Sequence, residues 1–252
     1  MKIDRPTPEQ VPLLRDLWKE AFGDTDAFLD LFFGTAYGAD HCRCIVSQGR
    51  VTAALYWLDF HLEDRKYAYI YAVATAKDCR GQGLCARLMA DTAARLRQEG
   101  YHCAVLVPQD AGLRTMYGKM GYLDTGRIDV FFCAAGDIPV PIRKISAAEY
   151  ADARRNATPE GSPQPDAKAV AFLETLADLY AGDGFQAAVS NETKHLRILE
   201  YLGDRKDLPG LIAALGATEA TVRAPGGDTP FAMFLPLEGT QDAAKYFALA
   251  FD

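Results

Sequence analysis

A glycine-containing turn at residues 80–85, Arg-Gly-Gln-Gly-Leu-Cys, has the residue types and spacing that most directly suggest chemistry. An apolar run at 68–75 leads into this turn, and a run with helical spacing at 84–96 follows it. A strand that ends in such a turn and opens a helix points several backbone N–H groups at one spot, at the positive end of the helix dipole. Two glycines leave room for a close approach. The turn therefore predicts a phosphate-binding site.

Two common phosphate-binding motifs do not fit this turn. A P-loop requires Gly-Lys-Ser/Thr, and this motif does not follow the glycines. A dinucleotide-binding fold has an acidic residue at the end of the strand that follows the helix. Here that strand, 102–107, runs into Pro108 and has no acidic residue at its end. A plain strand-to-helix connection is the alternative interpretation of the turn by itself.

Three segments together resemble the GNAT superfamily of N-acetyltransferases. Residues 80–85 look like the Arg/Gln-x-x-Gly-x-Gly/Ala loop that binds the pyrophosphate of acetyl-CoA. Residues 73–75 resemble the strand edge that pairs with the pantetheine arm, and residues 116–122 resemble the family's Tyr-x-x-x-Gly-Phe/Tyr segment. The resemblance covers roughly residues 1–135. The spacing from Pro108 to Tyr117 also resembles the Eis-like branch.

The resemblance implies acetyl-CoA as cosubstrate and assigns roles to individual residues. Tyr117 matches the family tyrosine that gives a proton to the departing sulfur of CoA. The implied cofactor-binding residues are Val73, Ala74, Thr75, Arg80, Gly81, Gln82, Gly83, Leu84 and Cys85.

Cys85 departs from the family pattern, which has Gly or Ala at this position. A thiol at a helix N-terminus tends to have a lowered pKa, so sensitivity to oxidants is one hypothesis. An inert, small, buried residue is the alternative.

The base that takes the amine proton is harder to assign, because residues 67–75 contain no carboxylate. Asp59, His61 and Glu63 alternate onto one face if their strand extends that far, but each is also typical of a solvated edge. The Eis-like resemblance implies the terminal carboxylates of Asp252 as base or amine anchor. The alternative is an apolar tail that docks only for stability.

Aromatic residues suggest an acceptor cleft. Tyr67, Tyr69 and Tyr71 alternate along one strand face, where rings attract ammonium groups. Core packing is the alternative for this stripe.

The pattern of elements predicts an α/β chain of the α+β kind, with a mixed, mostly antiparallel sheet and the GNAT fold in its first half. The predicted helices are 8–22, 26–37, 82–99 and 111–119; the predicted strands are 41–47, 51–61, 67–75, 102–107, 121–124 and 127–134. A linker at 136–141 then ends a first domain of residues 1–135.

The second half, 142–252, is predicted to be a smaller α+β domain. Its predicted helices are 146–157, 166–181 and 206–215, with strands at 185–190, 195–202, 218–223 and 230–236. This order echoes the first half, but residues 201–210 lack a Gly-x-Gly and place Asp204 and Asp207 where phosphate would lie. A degenerate GNAT-like repeat without a CoA site and an unrelated α+β domain both fit.

Bulk composition limits the partners. The 252 residues carry a net charge of −7, which argues against nucleic acid and anionic membranes. No apolar segment has the length of a membrane span, and the N-terminus lacks the core of a signal peptide. The six cysteines indicate free thiols in the cytoplasm, and no metal site is expected. A homodimer is compatible with the sequence.

These observations lead to one function and one alternative. The expected function is acetyl-CoA-dependent N-acetylation of a primary amine, on a small molecule or a peptide, by direct attack. The alternative is a non-catalytic acyl-CoA-binding or interaction module.

Overall fold

The computed structural model describes residues 2–191, 195–237, 239, 246–247 and 251. By its internal contacts the chain divides into two compact units. Unit 1 comprises Met1–Leu123 and Phe234–Gln241, and unit 2 comprises Asp124–Met233 and Asp242–Asp252. The contact boundary therefore falls before residue 136, and the functional domains at 1–135 and 142–252 stay a prediction. Within the described residues, no helix is both long and apolar enough to cross a membrane.

Unit 1 alternates helices and strands around one sheet. Its elements are β1 (Ile3–Asp4), α1 (Val11–Phe22), α2 (Asp26–Thr35), β2 (Cys42–Ser47), β3 (Arg50–Leu62), β4 (Arg65–Thr75), α3 (Leu84–Gln98), β5 (Tyr101–Leu106) and α4 (Ala111–Lys119). The strands lie in the order β1-β2-β3-β4-β5, antiparallel except for the parallel pair β4–β5. The mixed, mostly antiparallel sheet predicted from the sequence is confirmed.

Amphipathic spacing explains why the helices cover this sheet. Helix α1 buries Leu14, Leu17 and Trp18, one stripe of its surface, because these positions recur at helical spacing. Helix α2 starts at Thr25, whose side chain accepts a hydrogen bond from the Phe28 N–H at 3.2 Å. Three residues, 23–25, connect the two helices, and Thr25 is the N-cap of α2.

The last strand of unit 1 gains a neighbour from far along the chain. The Leu237 N–H donates to the His102 carbonyl at 2.9 Å, and the Arg97 guanidinium donates to the Leu237 carbonyl at 2.8 Å. This edge of β5 is thereby paired, and its N–H and C=O groups are not left open.

Unit 2 has its own helices and strands. They are β6 (Leu123–Ala134), β7 (Arg143–Lys144), α5 (Ala147–Ala157), β8 (Gln164–Pro165), α6 (Ala167–Leu176), β9 (Ala177–Gly182), β10 (Phe185–Ser190), β11 (Leu196–Leu202), α7 (Leu208–Ala214), β12 (Glu219–Pro225) and β13 (Thr229–Pro236). The end of β13 belongs to unit 1.

The two units share one topology. In unit 2 the strands lie in the order β7-β9-β10-β11-β12, antiparallel except for the parallel pair β11–β12. Two helices precede β9 and one lies between β11 and β12, as two precede β2 and one lies between β4 and β5. Strand β6 then pairs antiparallel with β12. The echo predicted between the two halves is therefore present in the fold.

The prediction was wrong in two places. The predicted helix 166–181 ends at Leu176, and Ala177–Gly182 forms β9 instead, because all six residues pair with β10. The predicted strands 121–124 and 127–134 form one strand, β6, which continues through a sequence typical of a turn because Thr125 and Ile128 are buried. In both cases tertiary pairing overrides the local preference.

A buried ion pair organises the interior of unit 2. Arg154 on α5 and Glu200 on β11 are 1% and 0% exposed. The Glu200 carboxylate accepts hydrogen bonds from the Arg154 Nε at 2.8 Å, the Tyr150 hydroxyl at 2.6 Å and the Tyr246 hydroxyl at 3.0 Å. Burial by itself would raise the pKa of Glu200, but the Arg154 charge and these hydrogen bonds hold that pKa below its ordinary value.

Replacing Glu200 by Gln is expected to destabilise the protein by about 3–5 kcal/mol at neutral pH, because the Arg154 charge stays buried without its partner. The pKa of Glu200 is lower in the folded chain, so its contribution is present above its unfolded pKa of about 4.3 and is lost as the pH falls through the folded value. Urea unfolding from pH 7 to pH 3 measures this.

The exposed Glu160→Gln is the matched control and should unfold like the wild type. An E200Q variant with an unchanged urea midpoint at pH 7 would contradict the stabilising role of the pair.

Candidate functional site

Strand β4 separates from β5 where it approaches the glycine turn. Their parallel pairing runs from Lys66 opposite Tyr101 to Tyr69 opposite Val105. Beyond that point β4 carries a bulge: the register with β3 shifts between Ala54 and Tyr56, and Ala72 has φ of 48°. A bulge turns backbone groups out of the ladder and bends the strand. The result is a gap between β4 and β5 that begins after Tyr69 and Val105, with Ala72 beside it.

The glycine turn lies directly after this end of β4. Gly81 and Gly83 both have φ of 75°, and a Cβ built on either would meet no atom within 4 Å. Helix α3 begins at Leu84 without a side-chain cap, so the N–H groups of its first turn have no partner within the helix. The turn is open, positively polarised and lined by main chain, which fits a diphosphate.

Hydrogen bonds hold the approach to this turn in shape. The Arg80 Nε donates to the Thr75 carbonyl at 3.2 Å, and the Gln82 amide donates to the Asp78 carbonyl at 3.3 Å. The Lys77 N–H donates to the Glu20 carboxylate at 2.6 Å, which ties the end of α1 to the end of β4. The side chains of Arg80 and Gln82 therefore brace the loop from within.

Tyr117 lies on α4, a helix whose start is set by Asp110. The Asp110 carboxylate accepts a hydrogen bond from the Leu113 N–H at 2.8 Å, as an N-cap should. The Tyr117 side chain is buried, and its ring centroid is 5.8 Å from that of Tyr122. Burial raises the pKa of Tyr117, and the nearby Cys85 thiol raises it further. The phenol is therefore protonated at neutral pH and lies near the first turn of α3.

The electrostatics of Cys85 differ from the expectation. A position at the start of a helix predicted a lowered pKa, but burial raises the pKa of this thiol. The hypothesis of a reactive thiolate is corrected, because the neutral thiol is favoured where the side chain is desolvated.

The other predicted cofactor-binding residues lie along the same edge. Val73 and Thr75 are half-buried, Ala74 is buried, and residues 80–83 are exposed at the turn. Leu84 is buried in the first turn of α3. The structure therefore brings all nine predicted residues to the C-terminal end of β4 and the start of α3, where their ligand contacts stay a prediction.

The candidate general bases lie at different places in the structure. Asp59 lies opposite Ala68, at the other end of β4, and its carboxylate accepts from the Tyr101 hydroxyl at 2.6 Å and contacts the His41 Nε2 at 3.1 Å. His61 lies farther away along the same strand, opposite Lys66. Asp252 lies outside the described residues. The edge residues Asp59 and His61 are consequently unsuited to a reaction beside Ala72.

The tyrosine stripe is mostly core. Tyr67 and Tyr69 are buried, whereas Tyr71 is half-buried and its ring lies 5.8 Å from Trp18 on α1. Of the three tyrosines, only Tyr71 therefore lies beside the bulge of β4.

The sequence analysis did not identify one carboxylate that lies near the site. Asp24, in the short loop after α1, accepts a hydrogen bond from the indole Nε1 of Trp18 at 2.8 Å. Because Glu20 and Trp18 tie α1 to the end of β4, this half-buried carboxylate belongs to the same edge of the sheet. The sequence Gly-Asp-Thr-Asp at 23–26, between two predicted helices, could have indicated an acidic loop at this edge.

Comparison with known families decides the assignment of this fold. Residues 2–123 match the family model described as an acetyltransferase (GNAT) domain. The first half of the chain belongs to the GNAT superfamily. The match supports acyl transfer from acyl-CoA. The family predicted from the sequence is confirmed. No curated protein matches the sequence.

Solved GNAT structures share the fold over nearly the whole chain. A GCN5-related N-acetyltransferase from Anabaena variabilis ATCC 29413 has a TM-score of 0.74 and 16% identity, over 94% of this chain and 73% of that chain. Eis1 from Mycobacterium abscessus has a TM-score of 0.63 and 11% identity, over 94% and 74%. A tandem GNAT protein from the clavulanic acid biosynthesis pathway has a TM-score of 0.60 and 12% identity, over 95% and 99%.

Replacing Gly83 by Ala is expected to weaken CoA binding by about tenfold or more, because a Cβ strains the backbone at positive φ and enters the open turn. Isothermal titration with CoA measures the dissociation constant.

Gly216→Ala is the matched control, since Gly216 has φ of 73° and equal space around it but lies in unit 2. Equal CoA affinity for the two variants would contradict the proposed role of the turn.

Proposed function

We propose that the protein transfers an acetyl group from acetyl-CoA to a primary amine, by direct attack of the amine on the thioester. The observation that carries this proposal is the pairing of an open glycine turn with a buried, protonated Tyr117 near the same helix start. The first feature suits a diphosphate, and the second suits a thiolate leaving group. The six cysteines are free, which supports a cytoplasmic location.

Acetyl-CoA suits the residues at this edge. Main-chain N–H groups of residues 81–85 would hold the diphosphate, and Val73 to Thr75 would pair with the pantetheine amides along β4. When bound, the thioester supplies an activated acetyl group. The gap that opens after Tyr69 and Val105 leaves room for the arm between the two strands.

Each reacting group then has a residue to stabilise it. Backbone N–H groups turned out at the Ala72 bulge would stabilise the developing charge on the carbonyl oxygen. As the C–S bond breaks, Tyr117 would donate its phenolic proton to the sulfur. The raised pKa of Tyr117 keeps that proton available at neutral pH.

An ammonium group must lose a proton before its nitrogen can attack. We assign this proton to a carboxylate of Asp252, as the Eis-like resemblance implies. Asp24 is the second carboxylate that we place at the acceptor edge, where the Trp18 indole N–H orients it. An acidic site of this kind favours cationic amines over neutral or anionic acceptors.

We further propose that unit 2 is a degenerate repeat with no CoA site. The loop after β11 corresponds to the glycine turn, but a Cβ at Gly203 would overlap Phe185, and the Asp204 carboxylate bonds to the Lys206 N–H at 3.1 Å. Strands β12 and β13 are joined by a turn at 226–228 instead of a helix like α4. Among its described residues unit 2 thus offers neither an open loop nor a counterpart of Tyr117.

The alternative is a module that binds acyl-CoA without turnover. Release of free thiol from acetyl-CoA in the presence of polyamines, aminoglycosides and peptide N-termini distinguishes the two. CoA binding without thiol release for every amine would favour the alternative.

Replacing Tyr117 by Phe is expected to lower kcat by about a hundredfold, because the thiolate then leaves without a proton donor. Wild-type activity should show no alkaline decline below about pH 10, since the pKa of Tyr117 is raised above its ordinary value. Steady-state thiol release measures both.

The control is Tyr180→Phe in unit 2, which also removes a phenolic hydroxyl and should keep the wild-type kcat. A Tyr117→Phe variant with wild-type kcat would exclude the phenol as the acid.

Deleting Asp252 is expected to lower kcat/KM by about tenfold or more near pH 7, and by less at alkaline pH, where the amine is already neutral. Asp24→Asn, measured beside it, is expected to raise KM more than it lowers kcat. An unchanged profile on deleting Asp252, together with a collapse of kcat in Asp24→Asn, would reassign the base to Asp24.

A further inference from the structure

Six aromatic rings, from α1, α2, the loop after α2, β3 and β4, pack together on the face of the sheet that leads to the β4 bulge. We call them the aromatic cluster: Trp18, Phe32, Phe33, Tyr37, Tyr56 and Tyr71. Ring centroids are 4.7 Å apart for Trp18 and Phe32, 5.1 Å for Trp18 and Tyr56, and 4.8 Å for Phe33 and Tyr37. Together these rings form an apolar wall with large, rigid surfaces.

Two hydroxyl groups in this cluster are buried without a partner. Neither the Tyr37 nor the Tyr56 hydroxyl has a hydrogen bond within the described part of the chain. The Tyr56 side chain is only 2% exposed, and the two rings lie 6.2 Å apart. A buried hydroxyl left unpaired costs about 1–3 kcal/mol, so two of them in one cluster indicate a partner from outside the described residues.

The position of Tyr56 relates these hydroxyls to the reacting end of β4. Tyr56 lies directly opposite Tyr71 in the β3–β4 register, so the two side chains share one face of the sheet. Tyr71 immediately precedes Ala72, the residue of the bulge. A molecule that reaches from the bulge along this face therefore meets Trp18 and Tyr71 first, and the Tyr56 and Tyr37 hydroxyls deeper in.

The surroundings of the two hydroxyls are uncharged. Tyr56 lies opposite Cys42 in the β2–β3 register, and burial raises the pKa of the Cys42 thiol well above its ordinary value. Burial likewise raises the pKa of Tyr37 to about 12, so both phenols keep their protons. A neutral hydrogen-bonding group suits this position, and a charged one would lack a counter-ion.

We propose that the acceptor is a primary amine that also carries a neutral hydroxyl or carbonyl group, which the Tyr56 and Tyr37 hydroxyls bind while the aromatic cluster packs against its carbon skeleton. The inference rests on the proposed function, since it describes the substrate of that same site. Tyr56 and Tyr37 act on specificity and take no part in the proton transfers.

Matched pairs of amines test the proposal directly. Tyramine and 2-phenylethylamine differ by one hydroxyl, as do 5-aminopentan-1-ol and pentylamine. In wild-type protein the hydroxylated member of at least one pair is expected to have a kcat/KM about tenfold higher or more, through KM. Tyr56→Phe should abolish that preference, so that the two members of the pair have the same kcat/KM.

Thermal unfolding supplies an independent readout. Without an amine, Tyr56→Phe should unfold at the same temperature as the wild type or higher, because it removes an unpaired buried hydroxyl. Tyr101→Phe is the matched control and should unfold at a lower temperature, because the Tyr101 hydroxyl donates to Asp59.

The outcomes separate the two proposals. If neither hydroxylated amine is preferred over its partner, or if Tyr56→Phe lowers the unfolding temperature and leaves the preference intact, the hydroxyls belong to the core and this inference is overturned. Thiol release from acetyl-CoA with the unhydroxylated amines would in that case still support the proposed function. The absence of thiol release with every amine overturns the proposed function itself.

Discussion

The structure of unit 1 depends on one constraint, that β4 cannot pair with both of its neighbours along its whole length. Its parallel ladder to β5 ends at Tyr69 and Val105, and the bulge at Ala72 then turns the strand away. Backbone groups of β4 beyond that point are left to bind something other than β5. The glycine turn follows directly, so the open strand edge and the helix start form one continuous main-chain surface.

The two units have the same topology but differ in the polar groups that they bury. In unit 2 the buried Glu200 carboxylate is satisfied, because it accepts hydrogen bonds from Arg154, Tyr150 and Tyr246. In unit 1 the corresponding face, under its two leading helices, carries aromatic rings with unpaired hydroxyls at Tyr37 and Tyr56. A satisfied network rigidifies a core, whereas an unsatisfied one is retained at a cost that ligand binding offsets. We assign the two unpaired hydroxyls of unit 1 to recognition, and the Arg154–Glu200 pair of unit 2 to stability.

Much of this arrangement was predictable from the sequence, for identifiable reasons. The turn at 80–85 and Tyr117 were predictable because glycine spacing and a tyrosine motif are local signals. The strand at 177–182 was not, since its pairing with β10 is tertiary. The raised pKa of Cys85 depends on burial, and the role of Asp24 depends on where Trp18 packs. Unpaired hydroxyls such as that of Tyr56 leave no trace in a sequence, because only the packed structure shows what surrounds them.

Calorimetric titration of the full chain with CoA tests the central claim most directly. The account predicts heat of binding with a stoichiometry of one CoA per chain, because the turn of unit 1 is open while Phe185 fills the corresponding position in unit 2. A titration without heat at several temperatures would contradict the site in unit 1. A stoichiometry of two would contradict the assignment of unit 2 as a repeat that has lost its site.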